Sequence, residues 1–160
     1  MQLFFAQNHS AMVHLPMAAA LMAAASALAA LFTSRQEVGR LWAMLSIVAF
    51  VTVCSTLTTG LVAARGRYNL EGKPYIQSGL FVPNLPANDR IWRHQTLGLV
   101  GTAVSAVLAL LGVGFLRGRA PNKYLVALLA VALALVWAVG AHTGGAELWG
   151  PETFPGFDGS

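Results

Sequence analysis

Histidine is the residue type in this chain best suited to binding a metal or a haem, and the 160 residues include it only four times. The positions are His9, His14, His94 and His142. The first two lie in the stretch NHSAMVHLP, at the edge of a long apolar run. A neutral imidazole binds haem iron, copper and zinc. Whether these side chains can share one ligand depends on the elements that position them.

The composition indicates an integral membrane protein. Hydrophobic residues make up 56% of the chain and charged residues 10%, with a mean hydropathy of +0.63. In soluble domains, about a quarter of all residues are charged. The net charge of +4 comes from arginines and lysines that flank apolar segments, which excludes a nucleic-acid-binding face.

Four apolar segments predict an all-α fold with a single membrane domain over residues 1–160. Each segment is near the roughly 20 residues that a helix needs to cross a bilayer. The predicted helices cover about 11–33, 41–64, 89–116 and 122–143, with a long extramembrane loop at 65–88 and a surface tail at 144–160. Short turns at 34–40 and 117–123 make consecutive helices antiparallel neighbours, so both termini lie on the same side.

The distribution of basic residues gives a preferred orientation in the membrane. Each side of the bilayer receives five arginines or lysines, but those of the short turns are packed more densely. Positive charge favours the cytoplasmic side. We therefore expect the short turns in the cytoplasm, with the termini and the long loop in the periplasm of a bacterial inner membrane.

The same topology predicts that all four histidines converge on one side of the membrane. Helices one and three begin near histidines, and helix four ends at one. Such side chains at membrane depth are costly and are candidates for function. His14, His94 and His142 are the best candidates for a shared site, and His9 could precede its helix. Alternatively, each is an interfacial residue that only makes hydrogen bonds.

Haem b is the cofactor that this set of ligands favours. No aspartate, glutamate or cysteine lies among these helix ends, whereas zinc sites usually include carboxylates or thiolates. Two axial imidazoles would hold one haem, and four histidines leave room for a second. Arg65 and Arg93 stand on the histidine side and could bind the haem propionates, although surface arginines also extend to the interface without binding anything.

A resemblance to a known family points the same way. HSAMVHLPM is similar to the H-P-x-L-V-H-F-P opening of small bacterial membrane proteins filed as domain of unknown function 2231, with Ser10 in place of the usual proline. TGLVAARGRYN, RHQTLGLVG and GAHTGGAELWG resemble that family's remaining blocks, so the likeness covers nearly the whole chain. It implies a four-helix membrane bundle in which all four histidines belong to motifs. Relatives beside or fused to Rieske-type modules imply a respiratory setting.

Three functions remain open from the sequence. The first is a cytochrome b-type subunit that carries electrons between a quinol or partner enzyme and a periplasmic carrier. The second is a structural subunit without a cofactor, which docks onto a larger membrane complex through the long loop and tail. The third is a copper- or zinc-binding membrane protein. No catalytic residues are predicted, so we expect an electron-transfer subunit rather than an enzyme acting alone.

Overall fold

The chain folds into four helices in the computed structural model, which describes the backbone of residues 2–70 and 90–149 and the side chains of residues 12–60 and 93–142. The helices are α1 (Gln2–Phe32), α2 (Gln36–Leu70), α3 (Arg90–Leu116) and α4 (Lys123–Trp149). Each contains a stretch apolar and long enough to span a membrane: Met12–Phe32, Gln36–Gly60, Arg93–Leu116 and Lys123–His142. The prediction of an all-α, multi-pass membrane protein is confirmed.

The four helices form a closed ring. α1 packs against α2 and α4, and α3 packs against the same two helices. Connections at residues 33–35 and 117–122 join α1 to α2 and α3 to α4. We call the end of the bundle with these connections the short-turn end and the opposite end the histidine end. The start of α1 and the end of α4 both lie at the histidine end, as predicted for an antiparallel up-down bundle.

The core of the bundle is built mostly of alanine, while many leucines face outwards. Ala20 and Ala43 are completely buried, whereas Leu110, Leu128 and Leu135 are each more than 60% exposed. Lipid tails are as apolar as leucine, so moving leucine from lipid into a helix interface contributes little free energy to helix association. Small residues instead let the backbones approach closely. Helix packing in this protein therefore depends on residue size more than on apolarity.

α2 and α3 approach closely at two glycines. A Cβ atom on Gly112 would lie 2.9 Å from the carbonyl oxygen of Ala43 and 3.2 Å from its Cα. A Cβ atom on Gly39 would lie 2.5 Å from Cζ of Phe115, whose ring packs on Trp42 with the centroids 5.5 Å apart. The two helices reach this contact because neither glycine has a side chain.

Three of the helices, α1, α2 and α4, are longer than the apolar segments predicted, whereas α3 matches its predicted range within one residue. α1 begins at Gln2 rather than near residue 11, and α2 runs from Gln36 to Leu70 rather than from about 41 to 64. Apolarity marks the part of a helix inside the hydrocarbon, but helical backbone hydrogen bonding does not need apolar side chains and continues beyond that part. The predicted turn at 34–40 is therefore reduced to 33–35, because QEVGR forms the start of α2.

The predicted tail is also partly helical, since α4 continues to Trp149. No proline interrupts the chain between the start of α4 and Pro151. The remainder of the predicted loop, from residue 71, and the remainder of the tail, from residue 150, lie outside the described residues.

Candidate functional site

Three of the four histidines lie near the ends of membrane spans at the histidine end. His14 and His94 are close to the starts of the first and third spans, and His142 is the last residue of the fourth. His94 and His142 are half-buried, whereas His14 is exposed on α1. His9 belongs to α1, but its side chain is outside the described part. The structure thus brings His94 and His142 to the ends of the adjacent helices α3 and α4.

His94 forms a polar contact from α3 to α4. Its Nδ1 lies 3.0 Å from the carbonyl oxygen of Gly140. A carbonyl oxygen can only accept a hydrogen bond, so Nδ1 carries a proton, and in the neutral ring the lone pair is then on Nε2. A Cβ atom on Gly140 would lie 3.7 Å from Cβ of Leu97, an ordinary contact. Gly140 thus supplies the carbonyl that orients the imidazole, and the space beside it would also accept the methyl group of an alanine.

A hydrogen bond from α2 helps α1 to remain helical across Pro16, close to His14. Proline lacks the N–H group that would bond to the carbonyl of Met12, one turn earlier. The single hydroxyl proton of Thr56 on α2 is shared between that carbonyl, at 3.1 Å, and the carbonyl of Thr52 within α2, at 2.9 Å. Pro16 and Thr56 are both buried. The neighbouring helix thus supplies a hydrogen bond that proline removes, and Pro16 faces α2 while His14 lies on the exposed side of α1.

Trp137 carries a buried donor for which the described part of the chain offers no acceptor. Its side chain is 7% exposed, and its indole Nε1 has no hydrogen-bond partner. A Cβ atom on Gly101 of α3 would lie 3.1 Å from that nitrogen. Trp137 is five residues from His142 towards the bilayer centre. An unsatisfied buried donor is rare in proteins, and a bound polar ligand is one explanation for it.

The predicted propionate-binding arginines belong to the same end of the bundle. Arg93 is the first residue of the third span and is exposed. Arg65 follows the second span within α2, and its side chain lies outside the described part. Both backbone positions therefore lie towards the histidine end of the bundle.

Two observations of the described residues bear on whether a haem fits here. The imidazole of His94 is oriented by a carbonyl, which is the usual outer partner of a metal-binding histidine. The unpaired N–H of Trp137 adds a donor along the same α3 and α4 interface. Over residues 12–60 and 93–142, no three histidine, cysteine, aspartate or glutamate side chains are grouped to hold a metal ion. The residues present are compatible with a haem bound through one or two imidazoles.

Sequence reasoning did not identify Thr56 or Trp137. A proline inside an apolar helix calls for a hydroxyl on a neighbouring helix, so Pro16 was the available signal for Thr56. Trp137 had no comparable signal, because a tryptophan in a membrane span is equally consistent with core packing.

The fold and site define a multi-pass four-helix membrane protein with histidines at one end of the bundle. Comparison with models of protein families, with curated proteins and with solved structures finds no match for this chain. Membership of the family filed as domain of unknown function 2231 stays a prediction. The candidate site is therefore described from the geometry of its own residues.

Proposed function

We propose that this chain is a haem b-binding subunit that carries electrons within a larger redox complex of the membrane. The contact of His94 Nδ1 with the Gly140 carbonyl is the single observation that carries the proposal. It favours the neutral tautomer with the proton on Nδ1, in which Nε2 would be the ligand atom. His94 also lies two and four helical turns from Gly101 and Leu108, which are buried, so its position belongs to the inner face of α3.

The second axial ligand comes from His9 or His142. Position 9 precedes the buried Pro16 by seven residues, which is two helical turns, so both positions share one face of α1. His142 is half-buried at the end of α4. His14 occupies the exposed side of α1 and is the weakest candidate of the four. Two imidazoles suffice for a haem, whereas zinc sites use three or four protein ligands.

The remaining residues of the site orient the group and balance its charge. When bound, haem iron accepts and releases one electron, and the protein adjusts its potential through ligands, burial and hydrogen bonds. Arg93 and Arg65 would pair with the propionates at the membrane surface. The Trp137 N–H would donate to an acceptor of the bound group or of an accompanying molecule such as a quinone.

The proposed setting is the inner membrane of a bacterium, with the termini and the histidine end facing the periplasm. The proposal includes a larger membrane complex or a periplasmic carrier as the electron partner, with a quinol as one possible donor. The denser positive charge of the short turns supports the proposed orientation, because positive charge favours the cytoplasmic side.

Visible spectroscopy of the detergent-purified chain tests the proposal. Spectra of the oxidised and dithionite-reduced protein, together with pyridine haemochrome quantification, should give a sharp reduced α-band and at least one haem b per chain. A colourless protein from cells with ample haem would refute the proposal.

Single substitutions then assign the ligands. We expect His94→Ala to lose the haem. Either His9→Ala or His142→Ala should also lose it, and whichever variant does so identifies the second ligand. His14→Ala should keep the haem, and it serves as a matched control because it also removes an imidazole at the same end. Haem loss in His14→Ala alone would show that the assignment based on burial is wrong.

A structural subunit without a cofactor is the second candidate, and the same contact favours it. The hydrogen bond of His94 to Gly140 also links α3 to α4 mechanically. This function predicts a colourless protein in which His94→Ala lowers the melting temperature. Elemental analysis of the same sample tests the third candidate, since a copper or zinc protein would contain near-stoichiometric metal.

A further inference from the structure

A second candidate site lies at the short-turn end, away from the histidines. A cavity of about 360 Å³ opens between the two short connections. Its walls come from the end of α1, the start of α2, the end of α3 and the start of α4. Nothing in the proposed redox function uses this cavity.

The cavity is lined by positive charge. Arg35, Arg119 and Lys123 line it, and none of its lining residues is acidic. The helix starts at Gln36 and Lys123 also contribute to the lining. The first N–H groups of a helix carry partial positive charge, so the start of α2 adds to the attraction for an anion, whereas the first N–H groups of α4 already donate to the Asn122 side chain.

The local backbone positions Arg119. α3 ends in a Schellman motif, in which the Arg119 N–H donates to the Gly114 carbonyl at 3.0 Å and the Gly118 N–H donates to the Phe115 carbonyl at 2.9 Å. Gly118 adopts a φ of 86°, which other residues rarely reach. The turn therefore holds the backbone of Arg119 in a defined place at the cavity wall.

Lys123 is positioned from two sides. Asn122 caps α4 by accepting from the N–H groups of Tyr124 and Leu125 at 2.9 and 3.3 Å. The Lys123 ammonium donates to the Leu31 carbonyl near the end of α1 at 3.2 Å. This bond uses one of three donors, so the ammonium can still contact an anion.

The cavity also has apolar wall residues and adjoins an exposed apolar surface. Trp42 and Phe115 form part of its wall. A shallow depression of about 480 Å³ adjoins it, shares Lys123, and includes Leu31 and Phe32. Phe32 is 88% exposed. A ligand that fits both parts has an anionic group for the cavity and an apolar portion for the outer surface.

We propose that this cavity binds the phosphate headgroup of an anionic phospholipid. Arg35, Arg119 and Lys123 would hold the phosphate beside the start of α2, and the acyl chains would leave along Leu31 and Phe32. Basic pockets between membrane helices commonly bind such headgroups. Free inorganic phosphate shares the anionic chemistry but has no apolar portion, so the depression would contribute nothing to its binding.

Lipid titration followed by native mass spectrometry tests the proposal. Phosphatidylglycerol is added to the full chain in detergent, with phosphatidylcholine and inorganic phosphate as comparison ligands. We expect the double variant R35Q/R119Q to weaken phosphatidylglycerol binding about tenfold, because charge-assisted hydrogen bonds to phosphate are lost. The matched control R40Q/R117Q removes two cations from the same end that do not line the cavity, and it should bind within about twofold of the wild type.

Two results would overturn the proposal. Equal weakening in both double variants would mean diffuse surface charge rather than a site. Inorganic phosphate that competes fully with phosphatidylglycerol at similar concentrations would identify a free-anion site instead. If R35Q/R119Q does not fold, as judged by circular dichroism, the single variants R119K and R119Q replace it. Equal affinity of R119Q and the wild type for phosphatidylglycerol would then refute the assignment of Arg119.

Discussion

Substituting Gly112 by alanine should destabilise the bundle because the new methyl group meets backbone atoms. Its Cβ would lie 2.9 Å from the Ala43 carbonyl oxygen and 3.2 Å from the Ala43 Cα. Neither atom belongs to a side chain that could rotate away, so α2 and α3 must separate. Overpacking of this kind costs about 1–3 kcal/mol. The gain in helix propensity from glycine to alanine, about 1 kcal/mol, offsets part of it.

Gly98→Ala is the matched control for this substitution. It lies in the same helix, and a Cβ atom there would have nothing within 4 Å. The propensity term is common to both variants, so their difference in the free energy of unfolding isolates the steric cost. We expect Gly112→Ala to be less stable than Gly98→Ala by about 1–3 kcal/mol.

Unfolding in mixed micelles with increasing SDS, followed by circular dichroism, measures this difference. The wild type and both variants are compared at one detergent concentration. Equal stability of Gly112→Ala and Gly98→Ala would show that α2 and α3 are not in backbone contact at this point, and the reasoning about packing by small residues would fail.

Three further predictions concern contacts between or at the ends of the helices. Thr56→Val should lower the free energy of unfolding by about 1 kcal/mol, because the α1 carbonyl freed by proline loses its donor. Thr52→Val, whose hydroxyl bonds only within α2, should cost less in the same assay. Gly118→Ala should cost about 1–2 kcal/mol, since φ is 86° there, and a melting temperature equal to that of the wild type would contradict this. Gly140→Leu should push α3 from α4 and remove the contact to His94, whereas Gly140→Ala should keep it, as imidazole NMR shifts would report.

The membrane spans could be predicted from sequence because their length and apolarity are local properties. The orientation of each helix about its own axis could not, because both faces are apolar. His14 illustrates the difficulty. The stretch ending in HLP placed it at the membrane edge, but the burial of Pro16 and Thr56 determines which side of α1 faces inwards.

The cationic cavity escaped sequence reasoning for a different reason. The basic residues of the two turns were interpreted only as markers of the cytoplasmic side. The predicted topology already placed both turns at one end, which was the available signal that their charges could meet. The shape of the cavity, however, depends on the Schellman turn at Gly118 and on the Asn122 cap, whose geometry required the structure.

The two proposed sites can be tested independently because a whole membrane span separates them. The second span, Gln36–Gly60, has 25 residues and joins the short-turn end to the histidine end. At about 1.5 Å of rise per residue, it is about 36 Å long. Sites this far apart with no shared partners normally contribute additively. R35Q/R119Q should therefore leave the haem content unchanged, and His94→Ala should leave phosphatidylglycerol binding unchanged. Loss of both properties in either variant would indicate unfolding of the bundle, whereas loss of one alone tests only the site that was altered.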